Sequence, residues 1–355
     1  MIQKTHQNLY KLKLLSHYII EVILMINVAI NGFGRIGRMV FRAGMNDKKI
    51  NFVAVNDLTS TENLAYLLKY DSAHGKLKDK VEHTKDSLIV GKKKIKVFAE
   101  KDPAQLHWNE LKIDVVVEST GFFLTKELAS QHLKAGAKKV VLSAPAKSEN
   151  IKTLAYGINH HDYNKAKDHI VSNASCTTNC LSPVAQVLDK NFGIINGLLT
   201  TVHGYTSSQK LVDAPHKKFR RGRAAAQNMV PTTTGATSAA SKVLPQLKGK
   251  MDGMAMRVPL VNGSIIDFTC QLKKPTTVEK VNQAFKSAAQ KELKNILKYS
   301  EEELVSTDII GDPHSAILDS KLTQMIGKNT VKVFAWYDNE WGYSCRMIDM
   351  VKFIS

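Results

Sequence analysis

Two thiols and one imidazole are placed where chemistry is available. The run SNASCTTNC sets Cys176 between an apolar strand-like stretch and the helical segment TTNCLSPVAQVLD. A sulfur there sits at the positive end of a helix, which lowers a thiol pKa and favours the nucleophilic thiolate. Pro183 falls inside that helix and predicts a kink. On spacing alone Cys176 and Cys180 each also read as inert buried cysteines, and Cys180 stays so by default. His203, in the apolar run TTVHGYT, can pair with a thiolate and move a proton, although a histidine in a strand is more often a satisfied core residue.

A second constellation sits near the start. Gly32, Gly34 and Gly37 in NGFGRIGR form G-x-G-x-x-G between a strand and a helix, with Asp57 closing the next strand, twenty residues past Gly37. In that setting the first glycine permits a tight turn, the second lets a pyrophosphate reach the backbone, and the third lets helix and strand pack closely. Asp57 suits the hydroxyls of an adenosine ribose and repels a 2′-phosphate, which predicts NAD rather than NADP.

The elements that must hold these groups alternate. INVAIN (26–31), a helix over 35–45 with Ile36, Met39, Val40 and Ala43 on one face, and NFVAVND (51–57) make a βαβ unit. A hairpin turning near Gly91, apolar runs at 113–120 and 138–145, and a helix ended by Gly136 complete a doubly wound half. After Cys176 the texture changes to α+β. GLLTTVHGYT, 257–272 and 332–338 read as strands with a helix over about 278–297, and 206–231 is a long basic loop. Met347, Ile348, Met350 and Val351 share one side of a final helix that is expected to return to the first half. The expected fold is therefore α/β: a Rossmann domain over 25–174 completed by 340–355, and a catalytic domain over 175–339. Residues 1–24 are expected to be an extension or a start-site artefact, because Glu21 interrupts the apolar run and no cleavage signal follows.

Composition bounds the rest. The chain has 355 residues, 43% hydrophobic and 23% charged, and its 50 basic and 32 acidic residues leave +18. That charge fits an anionic partner or a solvated lysine-rich surface, and the single RRGR run at 220–223 favours an anionic-ligand or subunit-contact loop over nucleic acid. Four cysteines in so long a chain predict reduced thiols in the cytoplasm, without disulfides or a metal. No run reaches the roughly 18 apolar residues of a membrane span.

From Met25 to Ser355 the chain resembles the phosphorylating glyceraldehyde-3-phosphate dehydrogenase family, through NGFGRIGR, LLKYDSAHG, STGFF, LSAPAK, SNASCTTNCLSP, TTVHGYTSSQ, RRGRAAAQNMVPTTTGA, MAMRVP and WYDNEWGYS in order. The resemblance implies a homotetramer in glycolysis and gluconeogenesis that takes glyceraldehyde 3-phosphate, inorganic phosphate and NAD. It implies Cys176 as nucleophile and His203 as its partner, with a hemithioacetal and then a thioester on the sulfur. Arg35 and Ile36 are implied at the pyrophosphate, Asp57 at the ribose and Asn339 at the nicotinamide amide. Ser143 is a further cofactor contact, as is Lys101, which stands where an arginine is common. One phosphate falls to Ser175, Thr177, Thr234 and Gly235, the other to Thr206 and Arg257, with Arg223 as a further contact. Ser208 and Ala214 depart from NAD-specific members and leave room for NADP. The alternatives are erythrose-4-phosphate dehydrogenase, which YTSSQ and PTTTGA disfavour, and a non-catalytic nucleic-acid-binding protein.

Overall fold

The structure is a computed structural model, and it describes residues 25–355. The expectation for residues 1–24 lies outside the described residues.

Parallel strands with helical crossovers build the first layer. In chain order they are β1 (Ile26–Asn31), α1 (Arg35–Gly44), β2 (Ile50–Asn56), α2 (Thr61–Lys69), β3 (Val81–His83), β4 (Ser87–Val90), β5 (Lys93–Phe98), β6 (Val115–Glu118), α3 (Lys126–Lys134), β7 (Lys139–Leu142), β8 (Lys152–Thr153) and β9 (Ile170–Ser172). Among the described residues they form a nine-stranded sheet in the order β3-β4-β5-β2-β1-β6-β7-β9-β8. The pairs among β5, β2, β1, β6, β7 and β9 are all parallel. Val28, Ile30, Val115 and Val117 are fully buried, as runs covered on both faces require.

The second half opens with α4 (Cys176–Phe192) and β10 (Ile194–Gly204), followed by β11 (Val230–Thr233), α5 (Ala236–Val243), β12 (Met251–Val258), β13 (Ser264–Leu272), α6 (Val278–Gln290), β14 (Leu297–Ser300), β15 (Ala316–Ile326), β16 (Thr330–Tyr337) and α7 (Trp341–Ile354). Its seven-stranded sheet runs β11-β12-β10-β13-β16-β15-β14. One face packs on α4, α5 and α6 through Leu181, Val184, Leu188, Val243, Val281 and Phe285. Tyr343, Met347, Ile348, Met350, Val351 and Ile354 of α7 instead join the core of the first sheet with Val28, Ile30, Val40 and Phe41. Each fully buried side chain of this size contributes about 1.5–3 kcal/mol, which pins α7 to the dinucleotide half.

Several expected elements differ. The stretch 257–272 is two strands, because the chain turns through Gly263 at φ +93° and β10 lies between β12 and β13. The helix after Val278 ends at Gln290, and Leu297 begins a strand paired with β15. Helix α1 is buried on more than its apolar side: Arg38 donates to Phe33 O, and Arg42 donates to Leu68 O and Gly75 O. Helix α4 contains Pro183 as expected. His132, in what reads as a polar helix, is fully buried.

Candidate active site

The thiol question resolves by location. Strand β9 ends at Ser172, and Ala174 takes a left-handed φ of +56° that turns the chain into α4. Such a backbone costs a non-glycine residue about 1–2 kcal/mol. Tyr343 of α7 braces it by donating to Ala174 O at 3.0 Å. Ser175 caps the helix, its Oγ accepting from Thr178 N at 3.0 Å, and Cys176 follows as the first helical residue. Cys180, one turn on, is fully buried with its sulfur against Ala335 O.

His203 is brought to the sulfur by the other sheet. It is the penultimate residue of β10, flanked in register by Arg257 of β12 and Ser264 of β13. Its Nε2 stands 3.4 Å from Cys176 Sγ. Nδ1 lies 2.6 Å from Gly204 O and 2.8 Å from Arg257 Nη1, which has Gly204 O at 2.8 Å as well. We assign the proton to Nδ1, donating to the nearer carbonyl, which leaves the Nε2 lone pair facing the sulfur.

Burial and Arg257 together push the His203 pKa down to about 3, so the ring is neutral at physiological pH. Burial pushes the Cys176 thiol up, against the pull of Arg257 and of the Thr177 hydroxyl and amide. The lowering expected of the helix start is thus present but outweighed. Burial also raises the other thiols, Cys270 to about 12 and Cys345 to about 11, and puts Cys180 well above its ordinary value. Among the described residues, Cys176 alone of the four has an imidazole at hydrogen-bond distance.

Asn339, just past β16, joins the pair through Ser264. Its Oδ1 accepts from Ser264 Oγ at 2.8 Å and Gly263 N at 3.0 Å. The carbonyl end is therefore occupied, and the amide end is the one left to donate to a ligand.

The other half contributes a cleft of about 560 Å³ lined by Gly32, Gly34, Arg35, Ile36, Asp57, Lys101, Thr120, Phe122 and Ser207 among others. Gly32, at φ +88°, makes the turn, and a Cβ on Gly37 would lie 2.2 Å from Gly32 O, so both glycines are sterically required. A Cβ on Gly34 meets nothing within 4 Å, so its missing side chain leaves backbone open to the cleft. Asp57 is fixed on the wall, accepting from Phe33 N at 2.8 Å and Thr59 N at 3.1 Å.

Arg35 ties the glycine turn to the start of α7. Its guanidinium pairs with Asp71 and with Glu340, the residue after Asn339. His74 Nε2 lies 3.2 Å from the same Glu340 carboxylate. Glu340, Asp71 and His74 lie in the motifs WYDNEWGYS and LLKYDSAHG, but their shared network is not legible there, because the partners are distant in the chain.

The remaining expected residues separate. Thr177 Oγ1 lies 2.9 Å from the buried Tyr337 hydroxyl. Thr206 Oγ1 contacts Ser208 Oγ at 2.9 Å. Thr234 and Gly235 head α5, with Thr234 Oγ1 accepting from Ala236 N. Ser143 follows β7 and is not among the residues lining the Asp57 cleft. Arg223 is turned away, donating from Nε to the exposed Asp213 at 2.8 Å. Arg221, which sequence reasoning missed, holds Thr232 Oγ1 and Ser208 Oγ instead, and its charge reaches His203 and Arg257. Two residues apart in one basic run, the two arginines are told apart by their partners, Asp213 for Arg223 and Thr232 and Ser208 for Arg221. A larger cleft of about 940 Å³, lined by Lys152, Asp168, Lys242 and Lys248, holds none of these groups.

Comparison with known proteins identifies two matching family regions. Residues 26–126 match the family described as glyceraldehyde 3-phosphate dehydrogenase, NAD binding domain, and residues 175–339 match its C-terminal domain. The chain is 54% identical over 332 residues to glyceraldehyde-3-phosphate dehydrogenase of Geobacillus stearothermophilus, covering 94% of this chain and 99% of that one. It is 54% identical over 333 residues to the Streptomyces coelicolor protein of that name, covering 93% and 99%. It is 52% identical over 332 residues to glyceraldehyde-3-phosphate dehydrogenase 2 of Streptomyces avermitilis, again covering 93% and 99%. The chain belongs to the glyceraldehyde 3-phosphate dehydrogenase family.

Proposed function

We propose that the chain oxidises and phosphorylates D-glyceraldehyde 3-phosphate to 1,3-bisphosphoglycerate with reduction of NAD, a glycolytic step. The observation that carries this reading is the 3.4 Å contact between Cys176 Sγ and His203 Nε2 at the head of α4. The sulfur attacks the aldehyde carbon, and His203 Nε2 takes the hydroxyl proton as the hemithioacetal becomes a thioester. Inorganic phosphate then attacks the thioester carbon, releasing the acyl phosphate and the free sulfur. The Cys176 amide, and His203 Nε2 once it has taken the sulfur's proton, stabilise the oxyanion before that proton passes to it, commonly worth about 2.7–4 kcal/mol per donor. Arg257, half-buried beside His203, and Arg221 supply positive charge for anionic groups. In this role Arg221 replaces the expected Arg223. Ser175, Thr177, Thr206, Thr234 and Gly235 remain candidates for phosphate contact.

NAD supplies the hydride acceptor when bound. Gly32, Gly34, Arg35, Ile36 and Gly37 are proposed to hold its pyrophosphate at the head of α1, Asp57 its adenosine ribose, Lys101 and Ser143 further contacts, and Asn339 its carboxamide. The open backbone at Gly34 and the fixed Asp57 carboxylate suit that group. Gly34→Val is expected to leave the melting temperature nearly unchanged, since the Cβ meets nothing within 4 Å, and to weaken NAD binding about tenfold or more by filling the cleft. Calorimetric titration beside thermal melting reads both; unchanged NAD affinity would contradict the pyrophosphate assignment.

We place the cofactor domain over 25–174 with 340–355, and the catalytic domain over 175–339, a division supported by the docking of α7 on the first core. A homotetramer is supported by exposed apolar residues on the outer sheet face, Leu198 and Met254, and on the long loop, Leu211, Val212, Phe219 and Met229. Four free thiols support a cytoplasmic protein, and no described helix is long and apolar enough to cross a membrane. Assays of both aldehydes test the activity. Turnover of glyceraldehyde 3-phosphate that requires phosphate is expected; faster, phosphate-independent turnover of erythrose 4-phosphate would overturn it.

A further inference from the structure

Beneath the cofactor cleft lies a buried charge that the chemistry above does not use. Glu118 ends β6 and is fully buried, in register with Asn31 of β1, which is in turn in register with Asn56 of β2. These three side chains form a row across the carboxyl ends of the central parallel strands, where open α/β sheets hold their ligands.

The row is hydrogen-bonded from end to end. Asn56 Nδ2 donates to Asn31 Oδ1 at 2.7 Å and to Glu100 O at 2.8 Å, while Asn56 Oδ1 accepts from Glu100 N at 2.8 Å. Asn31 Nδ2 donates to Glu118 Oε2 at 2.6 Å, and His132 Nε2 lies 3.1 Å from the same oxygen. Trp108 Nε1, which can only donate, gives its proton to His132 Nδ1 at 3.2 Å, so the imidazole proton is on Nε2 and points at Glu118. Glu118 Oε1 accepts from Thr120 N at 2.8 Å and from the Thr120 hydroxyl.

Four donors therefore converge on one carboxylate, two on each oxygen. A charge buried away from water is costly unless it is satisfied in this way, and a neutral amide cannot replace it. A glutamine Nε2 would face either Asn31 and His132 or the Thr120 amide. Asn31 cannot flip without losing Asn56, and His132 cannot shift its proton without losing Trp108.

What the carboxylate holds is the cleft itself. Asn31, Gly32, Asn56, Glu100 and Thr120 all line it, whereas Glu118 and His132 do not. Thr120 Oγ1 also accepts from Phe122 N, so the clamp carries into the wall loop. On the other side, the Thr120 backbone occupies the space a Gly32 Cβ would need, with its nitrogen 2.7 Å from that position, and so abuts the glycine turn.

We propose that Glu118, locked by His132 and Trp108, is a positioning residue that shapes the adenosine half of the NAD site by fixing Asn31 and Thr120. The inference rests on the NAD-dependent reading above. Its test is Glu118→Gln in the full chain. The KM for NAD should rise about tenfold or more, as loss of a buried charge-assisted hydrogen bond implies, with kcat at saturating NAD and the KM for glyceraldehyde 3-phosphate within about twofold of the parent. The dissociation constant for AMP, measured by calorimetry, should rise in step with the KM for NAD. A folded variant with unchanged AMP and NAD affinity, or with kcat lost and both affinities intact, would overturn the proposal.

If Glu118→Gln does not fold, two substitutions outside the cleft carry the test. His132→Gln retains a donor for Glu118 and an acceptor for Trp108 and should bind AMP like the parent, whereas His132→Phe has neither and should bind it several-fold more weakly. Equal AMP affinity in the two would overturn the proposal. AMP binding needs no turnover, so a parent chain that binds AMP but fails to reduce NAD would count against the proposed activity and not against the Glu118 clamp.

Discussion

Cys176→Ser is expected to lose at least about 10⁴-fold in aldehyde oxidation while binding NAD within about twofold of the parent, because it removes the covalent step and leaves the cofactor cleft intact. A serine hydroxyl at that place holds its proton far more tightly than a thiol, and the imidazole opposite is already pushed down to about 3 by burial and Arg257. The pair could not ionise an alcohol at neutral pH. None of the other thiols can stand in: Cys180 is fully buried against Ala335 O, and burial raises Cys270 and Cys345 to about 12 and 11. Reduction of NAD followed at 340 nm, beside a calorimetric NAD titration, measures both quantities. Retention of more than a few per cent of the parent rate would place the nucleophile elsewhere.

His203→Asn is expected to slow oxidation by about 10²–10⁴-fold, the range of a general base, with the KM for NAD little changed. The substitution also has a signature in pH. Burial alone raises the Cys176 thiol, and the Nε2 lone pair at 3.4 Å is the acceptor nearest its proton. Without it, nothing takes the proton as the sulfur attacks, and alkylation waits on free thiolate at higher pH. The iodoacetamide alkylation profile of Cys176 should therefore shift upward, and the rate at pH 7 should fall. In the parent chain, His203 stays neutral from about pH 4 upward, so its protonation should contribute no falling limb between pH 5 and 9. An alkylation profile that His203→Asn leaves in place would mean that the imidazole does not act on the sulfur.

These effects trace back to features of very different visibility in the sequence. The glycine triplet, Asp57 and the cysteine at a helix start are legible because each depends on local geometry: a positive φ at Gly32, a close approach at Gly37, a cap at Ser175. The hairpin at Gly91 and the apolar side of α7 are legible for the same reason, one being a turn residue and the other a periodicity. What escaped depends on partners far away in the chain. The segment 291–300 has helical residues, yet Leu297–Ser300 is drawn into a strand by β15. Arg38 and Arg42 look like the polar side of α1 until Phe33 O, Leu68 O and Gly75 O receive them. His132 looks like a surface histidine until Glu118 and Trp108 close around it. Arg221 and Arg223 are indistinguishable as sequence, and Asp213 separates them. The chemistry was readable one residue at a time, and its supports were not.

The most direct measurement is peptide mass mapping of the chain mixed with glyceraldehyde 3-phosphate and NAD, without phosphate, and quenched in acid. A 3-phosphoglyceryl thioester on Cys176, absent when inorganic phosphate is included, is the predicted result. The same adduct on Cys180, Cys270 or Cys345, or NAD reduction with no adduct on any thiol, would contradict it.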